Sequence, residues 1–195
     1  MNFLSFHNSK LKGEGIYTFD LPPSKTCGAV GCEFNNGCDC YAMKSNYLRC
    51  KTTIDFRHNL LFAATKDKSF VDQFCQALKF RRKKYHKCPV RLLGVGEIYS
   101  QKLLNDFTKI IERNPDTPFY AYTKALHLNW EKTLKLPNFT RIQSHGGKFD
   151  HLIDTDLPNA KVFDSIDEMK LSGYTDCTTS DLKALSTTNI GLLKR

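Results

Sequence analysis

The chain alternates short apolar runs with amphipathic segments, and this pattern predicts an α/β fold. Runs rich in β-branched or aromatic residues have the length of strands, and they lie at residues 15–20, 89–95, 119–123, 139–144 and 160–163. Segments with helical spacing lie between them, at residues 70–78, 100–113 and about 126–135. Strands that alternate with helices form βα units in a mostly parallel sheet. Five strands do not close an eight-stranded barrel, so we expect a partial (half) barrel or a small, mostly parallel sheet with flanking helices.

Length, charge and the lack of long apolar runs limit the class of protein. The 195 residues fit a single domain, 1–195, with a loosely ordered start over residues 1–14. No apolar run approaches the roughly 18 residues that span a bilayer, and the first residues do not resemble a signal peptide. We therefore expect a cytoplasmic protein with no membrane partner. The formal net charge of +9 favours a polyanion, and the partner we expect is nucleic acid.

A cysteine-rich stretch over residues 24–42 follows the first predicted strand. Four of the eight cysteines, Cys27, Cys32, Cys38 and Cys40, fall within fourteen residues, and three glycines stand between the first and the last. Sulfur atoms converge on one metal only if the backbone turns tightly, which glycine permits. Four thiolates suit an iron–sulfur cluster or tetrahedral zinc, and cysteines stay reduced in the cytosol. The alternatives are disulfides or unrelated buried thiols.

The spacing of these cysteines leaves the metal and the number of ligands open. The intervals of four, five and one residues match neither a paired zinc ribbon nor a ferredoxin run. Cys38 and Cys40 reach one metal only if the chain turns, which Gly37 allows. Three cysteines around a [4Fe–4S] cluster leave one iron open to a substrate or cofactor, whereas four cysteines close the site.

A basic run ends the helical segment that starts near residue 70. It holds Lys79, Arg81, Arg82, Lys83, Lys84 and Lys87, interleaved with Phe80, Tyr85 and His86. Cations neutralise phosphates and aromatic rings stack on bases, so the run is a candidate nucleic-acid-binding surface. The alternative is a solvated helix end, where cations interact favourably with the helix dipole.

Polar residues directly after predicted strands are candidates for catalysis, because parallel α/β sheets place their sites at the carboxyl ends of strands. Glu97 follows the strand at 89–95, and His145 follows the strand at 139–144 as a candidate base or metal ligand. Candidates for cofactor binding at the same opening are Gly96, Tyr122, Arg141 and Gly146. The alternatives are an ordinary turn carboxylate, a tight turn with an exposed histidine, and half-buried strand positions.

Several of these segments together resemble the phage gene-product-88-like proteins. The matching stretches follow the order of that family, at residues 24–27, Cys32, 40–42, 90–100, 119–124, 141–147 and 173–182. The resemblance implies a phage protein in the cytoplasm of an infected host cell. The cysteine opening is also similar to the cluster-binding loop of radical S-adenosylmethionine enzymes, where three cysteines hold a [4Fe–4S] cluster at the mouth of an α/β barrel, although the usual spacing is absent here.

The resemblance and the unusual spacing favour a [4Fe–4S] cluster over zinc, and the resemblance implies S-adenosylmethionine as a further cofactor. The chain also departs from the family. Where relatives have a His-Asp-x-Gly-Asp run after the strand, this chain has Leu93-Gly94-Val95-Gly96-Glu97, so the imidazole and the first carboxylate are missing. If those groups serve catalysis in relatives, this protein is altered or inactive.

Three functions follow as hypotheses. The first is an iron–sulfur enzyme, of the radical S-adenosylmethionine kind, that modifies nucleic acid or nucleotides. The second is a non-catalytic protein with a structural metal site that binds nucleic acid or a host component. The third is a barrel enzyme with base-exchange chemistry of the transglycosylase kind.

Overall fold

The computed structural model describes residues 3–6, 8–33, 51–82 and 88–194. Within these ranges, seven strands form one sheet. The strands are β1 (Tyr17–Phe19), β2 (Val90–Leu92), β3 (Phe119–Thr123), β4 (Phe139–Ser144), β5 (Asn159–Phe163), β6 (Thr175–Asp176) and β7 (Asn189–Leu193). The helices are α1 (Ser9–Gly13), α2 (Pro23–Thr26), α3 (Lys51–Ala64), α4 (Phe70–Arg82), α5 (Gln101–Glu112), α6 (Glu131–Leu134), α7 (Ile166–Leu171) and α8 (Asp181–Leu185), and 3-10 turns lie at Cys27–Val30 and Asp150–Leu152.

The order of the strands explains why most helices share one face. The sheet runs β1-β2-β3-β4-β5-β7-β6, and every neighbouring pair is parallel. Connections between parallel strands are almost always right-handed. A chain that steps from β1 to β6 in one direction therefore keeps its connecting helices on one face, here called the outer face. The sheet does not close, so the predicted α/β partial barrel is confirmed.

The last step of the chain runs in the opposite direction, because β7 lies between β5 and β6. The same handedness then puts α8 on the opposite face, here called the inner face. The packing agrees: Ala184 of α8 and Leu11 of α1 lie in one buried cluster with Tyr120 and Ile190. The inner face of the sheet is therefore covered by α1 and α8.

The larger core lies on the outer face and is rich in aromatic rings. Phe19 of β1 stands among rings from two helices, with centroid distances of 5.4 Å to Phe74 and 5.8 Å to Phe107. Burying one such side chain contributes roughly 1.5–3 kcal/mol. The apolar residues of α4 and α5 have helical spacing because each helix turns one apolar side toward the sheet. None of the described helices is long and apolar enough to cross a membrane.

Several predicted boundaries are confirmed. Residues 119–123 and 139–144 coincide with β3 and β4. The Ser100 Oγ accepts a hydrogen bond from the Leu103 amide (3.3 Å) and caps α5. The helix expected at about 126–135 is shorter, because the indole of Trp130 donates to the carbonyl of Ala125 (2.9 Å) and holds the preceding residues in a turn. Two strands were not predicted: β6 is two polar residues long, and β7 is only partly buried.

The described part of the start of the chain packs against the sheet. The loosely ordered start expected over residues 1–14 stays a prediction. Phe3 and Leu4 are buried in the outer core, and the Ser5 and Thr18 backbones exchange two hydrogen bonds (3.0 and 2.7 Å). Asn8 caps α1 through its side chain. This segment covers the edge of β1, where unpaired backbone groups would otherwise be exposed.

Candidate functional site at the carboxyl edge

The described part of the cysteine-rich stretch is a compact turn at the carboxyl edge of the sheet. α2 leads directly into the 3-10 turn Cys27–Val30, and Gly31 ends that turn in the left-handed region (φ 56°, ψ 45°). Glycine adopts this conformation without steric cost. The chain therefore reverses between Cys27 and Cys32.

Two backbone hydrogen bonds hold this turn against the loop after β4. The Lys148 amide donates to the carbonyl of Val30, and the Glu33 amide donates to the carbonyl of Gly146, each at 3.0 Å. At Gly31, an added Cβ would come within 3.2 Å of the Lys148 Cβ. The cysteine turn is thus fixed beside the carboxyl end of β4, where sites of parallel α/β sheets lie.

The structure describes five of the cysteines, and all five are thiols: Cys27, Cys32, Cys75, Cys88 and Cys177. Cys27 and Cys32 are half-buried, while Cys38 and Cys40 lie outside the described residues. Among the described residues, no three Cys, His, Asp or Glu side chains are grouped as metal ligands. Because only two of the four predicted ligands are described, the metal site stays a prediction.

Glu97 is buried at the end of the loop after β2 and is tied to β3 by both carboxylate oxygens. Its Oε1 accepts hydrogen bonds from the Ile98 amide (2.7 Å) and the Thr123 hydroxyl (2.7 Å), and its Oε2 accepts from the Lys124 amide (2.8 Å). The Glu97 amide donates to the Thr26 hydroxyl (3.0 Å), which links this loop to α2. Burial raises the pKa of Glu97, against the lowering effect of these donors.

These contacts give Glu97 a positioning role beneath the cysteine turn. Its carboxylate joins the loop after β2 to the end of β3, and its backbone joins the same loop to the helix that leads into Cys27. The catalytic role predicted for Glu97 stays a prediction. The neighbouring Gly96 has a φ of 86°, and an added Cβ would lie 2.6 Å from the carbonyl oxygen of Leu21. The close approach of two backbones therefore requires glycine at this position.

His145 lies beside Tyr174, whose hydroxyl is hydrogen-bonded to Asn159. The side-chain amide nitrogen of Asn159 donates to the backbone carbonyls of Thr155 (3.3 Å) and Leu157 (3.1 Å), so its oxygen is left to accept from the Tyr174 hydroxyl (2.8 Å). The Tyr174 proton then points at Asn159. The His145 Nε2, 3.4 Å from the Tyr174 oxygen, must therefore carry its own proton to form a hydrogen bond.

In a neutral imidazole with the proton on Nε2, Nδ1 keeps the lone pair that would accept a proton or bind a metal. The backbone of His145 is held as well, since its amide donates to the Ala160 carbonyl (3.0 Å) and its carbonyl accepts from the Lys124 ammonium (2.7 Å). The role of His145 as a base or ligand stays a prediction, and Tyr174 is a residue that strand-end reasoning missed because it lies in a distant polar segment.

The two glycines after His145 form a small anion-binding nest that the chain itself fills. Asp150 accepts hydrogen bonds from the Gly146 amide (2.8 Å) and the Gly147 amide (2.9 Å) through its two oxygens. Successive backbone N–H groups of this kind bind anions. The cofactor role predicted for Gly146 is untested, but its amide already has an internal partner.

Replacing Gly146 with alanine should lower the free energy of unfolding by about 2 kcal/mol. Gly146 has a φ of 91°, and an added Cβ would collide with the Glu33 carboxylate. A positive φ alone costs an L-residue roughly 1–2 kcal/mol. The matched control is Gly173→Ala, where φ is 76° and no atom lies within 4 Å of the added Cβ. Glu33 is exposed and its carboxylate can move aside, so most of the loss in both variants comes from the positive φ. Urea unfolding curves that show no loss for Gly146→Ala would contradict this strain.

Tyr122 and Arg141 do not share one opening, contrary to the expected arrangement. Tyr122 pairs with Ile142 and faces inward, where the Arg91 guanidinium lies 4.5 Å from the centre of its ring. Arg141 faces outward, and its guanidinium lies 5.4 Å from the Trp130 ring. Successive strand residues point to opposite faces. Tyr122 pairs with Ile142, the residue next to Arg141, so the side chains of Tyr122 and Arg141 lie on opposite faces of the sheet. Their individual cofactor roles stay predictions.

The inner face contains a buried ionic cluster that the sequence does not reveal. Asp181 of α8 is buried and forms ion pairs with Lys10 of α1 and with Arg91 of β2 (2.9 Å). The Tyr120 hydroxyl donates to the same carboxylate (2.8 Å), and the Asp181 amide donates to Glu14 (3.0 Å). Lys10 and Asp181 are separated by 171 residues, so no local pattern could have linked them.

The predicted basic run is only partly described. Lys79 is exposed, and the Arg81 guanidinium lies 5.8 Å from the centre of the Tyr17 ring. Arg82 ends α4, whereas Lys83, Lys84 and Lys87 lie outside the described residues. The nucleic-acid-binding role of this run therefore stays a prediction.

A shallow depression of about 290 Å³ lies at the other end of the sheet, near the amino ends of β3 and β4. Its lining consists of Pro115, Asp116, Pro118, Phe119, Tyr120, Pro137, Asn138, Thr140 and Leu185. Prolines and strand ends dominate this lining, and none of the predicted site residues belongs to it. The carboxyl edge is thus the better candidate for chemistry.

Comparison with known proteins adds one finding. A family model described as gene product 88 matches residues 2–194, which is nearly the whole chain. No curated protein and no solved structure matches the chain.

Proposed function

The chain belongs to the gene product 88 family, and we propose that it is a phage-type iron–sulfur protein that acts on nucleic acid or nucleotides. In this proposal Cys27, Cys32 and Cys40 hold a [4Fe–4S] cluster, with Cys38 as a possible fourth ligand. The observation that carries the proposal is the anchored turn between Cys27 and Cys32. Its two backbone hydrogen bonds to the loop after β4 hold two thiols at the carboxyl edge of the sheet.

The donor set fits such a cluster. Thiolates are the ligands that iron–sulfur clusters use, and the two described thiols are half-buried. Three ligands would leave one iron open to bind a substrate or cofactor, while four would give a closed electron-transfer or structural site. In either case the chain itself contributes the turn, the buried Glu97 beneath it and the oriented imidazole of His145.

A second candidate is a non-catalytic nucleic-acid-binding or host-interaction protein with a structural zinc or cluster. The observation that favours it is the burial of Glu97, whose two oxygens already accept three hydrogen bonds from the protein. A carboxylate in that position supports the fold rather than meets a substrate. In this version the metal stabilises the cysteine turn, as structural zinc does.

Anaerobic purification with iron, sulfide and zinc analysis tests the proposal. We expect visible sulfide-to-iron absorbance and iron in the parent protein. Cys27→Ala and Cys32→Ala should lose both metal and stability, whereas Cys75→Ala, in a thiol that packs against the outer core, should keep its metal. Colourless protein with stoichiometric zinc would reject the cluster, and protein with neither metal would reject both versions.

Ligand binding separates the enzymatic hypotheses. Binding of S-adenosylmethionine to the iron-loaded protein would favour a radical enzyme. Incorporation of a free base into nucleic acid would favour base exchange of the transglycosylase kind. Salt-sensitive nucleic-acid binding without turnover would favour the non-catalytic candidate.

A further inference from the structure

We infer that the two sides of the cysteine turn form a track for single-stranded nucleic acid, with phosphates on Lys25, Lys66 and Lys148 and a base stacked on His127. This inference rests on the proposed function, because it assigns a substrate class to the same turn. We call these three lysines the rim lysines.

One side of the track precedes Cys27. Lys25 lies in α2, two residues before that cysteine, and its ammonium is 5.6 Å from the centre of the Phe62 ring. The Lys66 ammonium lies 4.6 Å from the same ring. Phe62 packs against the outer core and touches Tyr99, with ring centroids 5.1 Å apart. A fixed ring therefore holds two cations beside the turn.

The other side of the track follows Val30. The Lys148 amide donates to the Val30 carbonyl (3.0 Å), and the Lys148 ammonium lies 4.8 Å from the centre of the Phe149 ring. His127 stacks on that ring, with centroids 3.9 Å apart and planes 22° apart. Cations and rings thus flank the turn on both sides.

The rim lysines have no acidic partner and lie beside one turn. Within the described part of the chain, none of the three forms an ion pair, unlike Lys102, Lys109 and Lys135. Lys12, Lys161 and Lys170 also lack an ion pair there, but they lie on three separate elements, α1, β5 and α7. Three uncompensated cations near one turn fit a ligand with regularly spaced negative charges. Nucleic-acid phosphates meet that requirement, and the net charge of +9 agrees with it.

The exposed imidazole of His127 favours a single strand over a duplex. One face of its ring lies on Phe149, so its exposure is on the remaining side. Burial against its neighbours, and then the ammonium of Lys148, lower the pKa of His127, which keeps the ring uncharged near neutral pH. An uncharged flat ring stacks on unpaired bases of any sequence. Duplex DNA hides the faces of its bases.

Binding of a labelled oligothymidylate to the full chain, as purified anaerobically, tests the track. The rim variant is Lys25→Gln with Lys66→Gln and Lys148→Gln. The matched control is Lys12→Gln with Lys161→Gln and Lys170→Gln, which removes equal charge from α1, β5 and α7. Lys161 also lies over a ring, 5.2 Å from the centre of Phe163. We expect the rim variant to bind roughly tenfold or more weakly. The slope of log affinity against log salt should become shallower by about 2, since each of the three lost contacts removes about 0.7.

The stacking contact has its own variant. His127→Ala should weaken single-strand binding about fivefold or more and leave duplex binding unchanged, while His151→Ala, at another exposed histidine, should change neither. Rim and control variants with equal affinities and salt slopes would overturn the track. Equal losses for single strand and duplex, with no effect of His127→Ala, would overturn the choice of a single strand.

Metal analysis of the same samples separates the two claims. If the parent lacks iron and zinc but the rim variant still binds weakly, the metal proposal fails and the track stands. If all variants keep their metal and bind alike, the track fails and the metal proposal stands.

Discussion

Replacing Asp181 with alanine should lower the free energy of unfolding by about 3–5 kcal/mol, the usual cost of leaving a buried charge without its partner. Asp181 is 2% exposed and forms ion pairs with Lys10 and Arg91. Removing its carboxylate would leave two cations and the Tyr120 hydroxyl facing each other on the inner face. Urea unfolding followed by circular dichroism at neutral pH measures the loss.

The matched control is Asp164→Ala, because the side chain of Asp164 is 82% exposed and its ion pair with Lys194 is 4.0 Å long. Surface changes of this kind usually stay within about 0.5 kcal/mol. A loss below about 1 kcal/mol for Asp181→Ala would show that water or rearrangement compensates the two cations, and would contradict the described cluster.

The effect of Asp181 should also depend on pH in a defined direction. Burial raises its pKa, but Arg91 and Lys10 outweigh burial, so the pKa of Asp181 is lowered in the folded protein. The unfolded chain then binds the proton more readily than the folded chain. The stabilisation by Asp181 is therefore full above its unfolded pKa of about 3.9 and is lost as the pH falls through its folded pKa. Parent and variant curves should converge in acid.

Replacing Glu97 with alanine should cost roughly 3 kcal/mol or more, because three buried donors would lose their acceptor at about 1–3 kcal/mol each, with partial relaxation. Glu97→Gln should cost less. Its amide oxygen can still accept from Ile98 and Thr123, but its NH₂ group would face the Lys124 amide, donor against donor. Exposed Glu131 is the control, and Glu131→Ala should change stability by less than about 0.5 kcal/mol.

Glu97 should give the opposite pH dependence to Asp181. Burial raises its pKa above the ordinary value of 4.5, so the folded state binds the proton more tightly than the unfolded state. Stability from this group therefore falls as the pH rises from about 4.5 towards the folded pKa. Glu97→Gln has no such titration, and its stability curve should be flatter than that of the parent over this window. Parallel curves for the two proteins would contradict the raised pKa.

The sequence predicts the strands and helix ends that are determined by residues close together in the chain. β3 and β4 are apolar enough to be read from five or six residues, and Ser100 marks the start of α5. β6 is missed because two polar residues, Thr175 and Asp176, carry no hydrophobic pattern. Its pairing with β7 is set by tertiary contacts, which a local pattern does not contain.

In the candidate site, too, the sequence predicts what depends on nearby residues and misses what depends on distant ones. Glu97 and His145 could be selected because each follows a predicted strand, and Cys27 because four cysteines lie within fourteen residues. The tautomer of His145 could not, since it depends on Asn159 and Tyr174 from two later segments. Nor could the separation of Tyr122 from Arg141 be predicted without the strand register.

The inner face is covered by α1 and α8, which lie far apart in the chain, and this has a consequence for biosynthesis. Lys10 and Asp181 are separated by 171 residues, so at about 5–20 residues per second a ribosome needs on the order of ten to thirty seconds to deliver the second after the first. Leu11 has no cover from α8 throughout that interval, and Arg91 and Tyr120 have none from their own synthesis onward. The nascent chain therefore presents an incomplete inner face until α8 emerges, and that is when a chaperone would engage it.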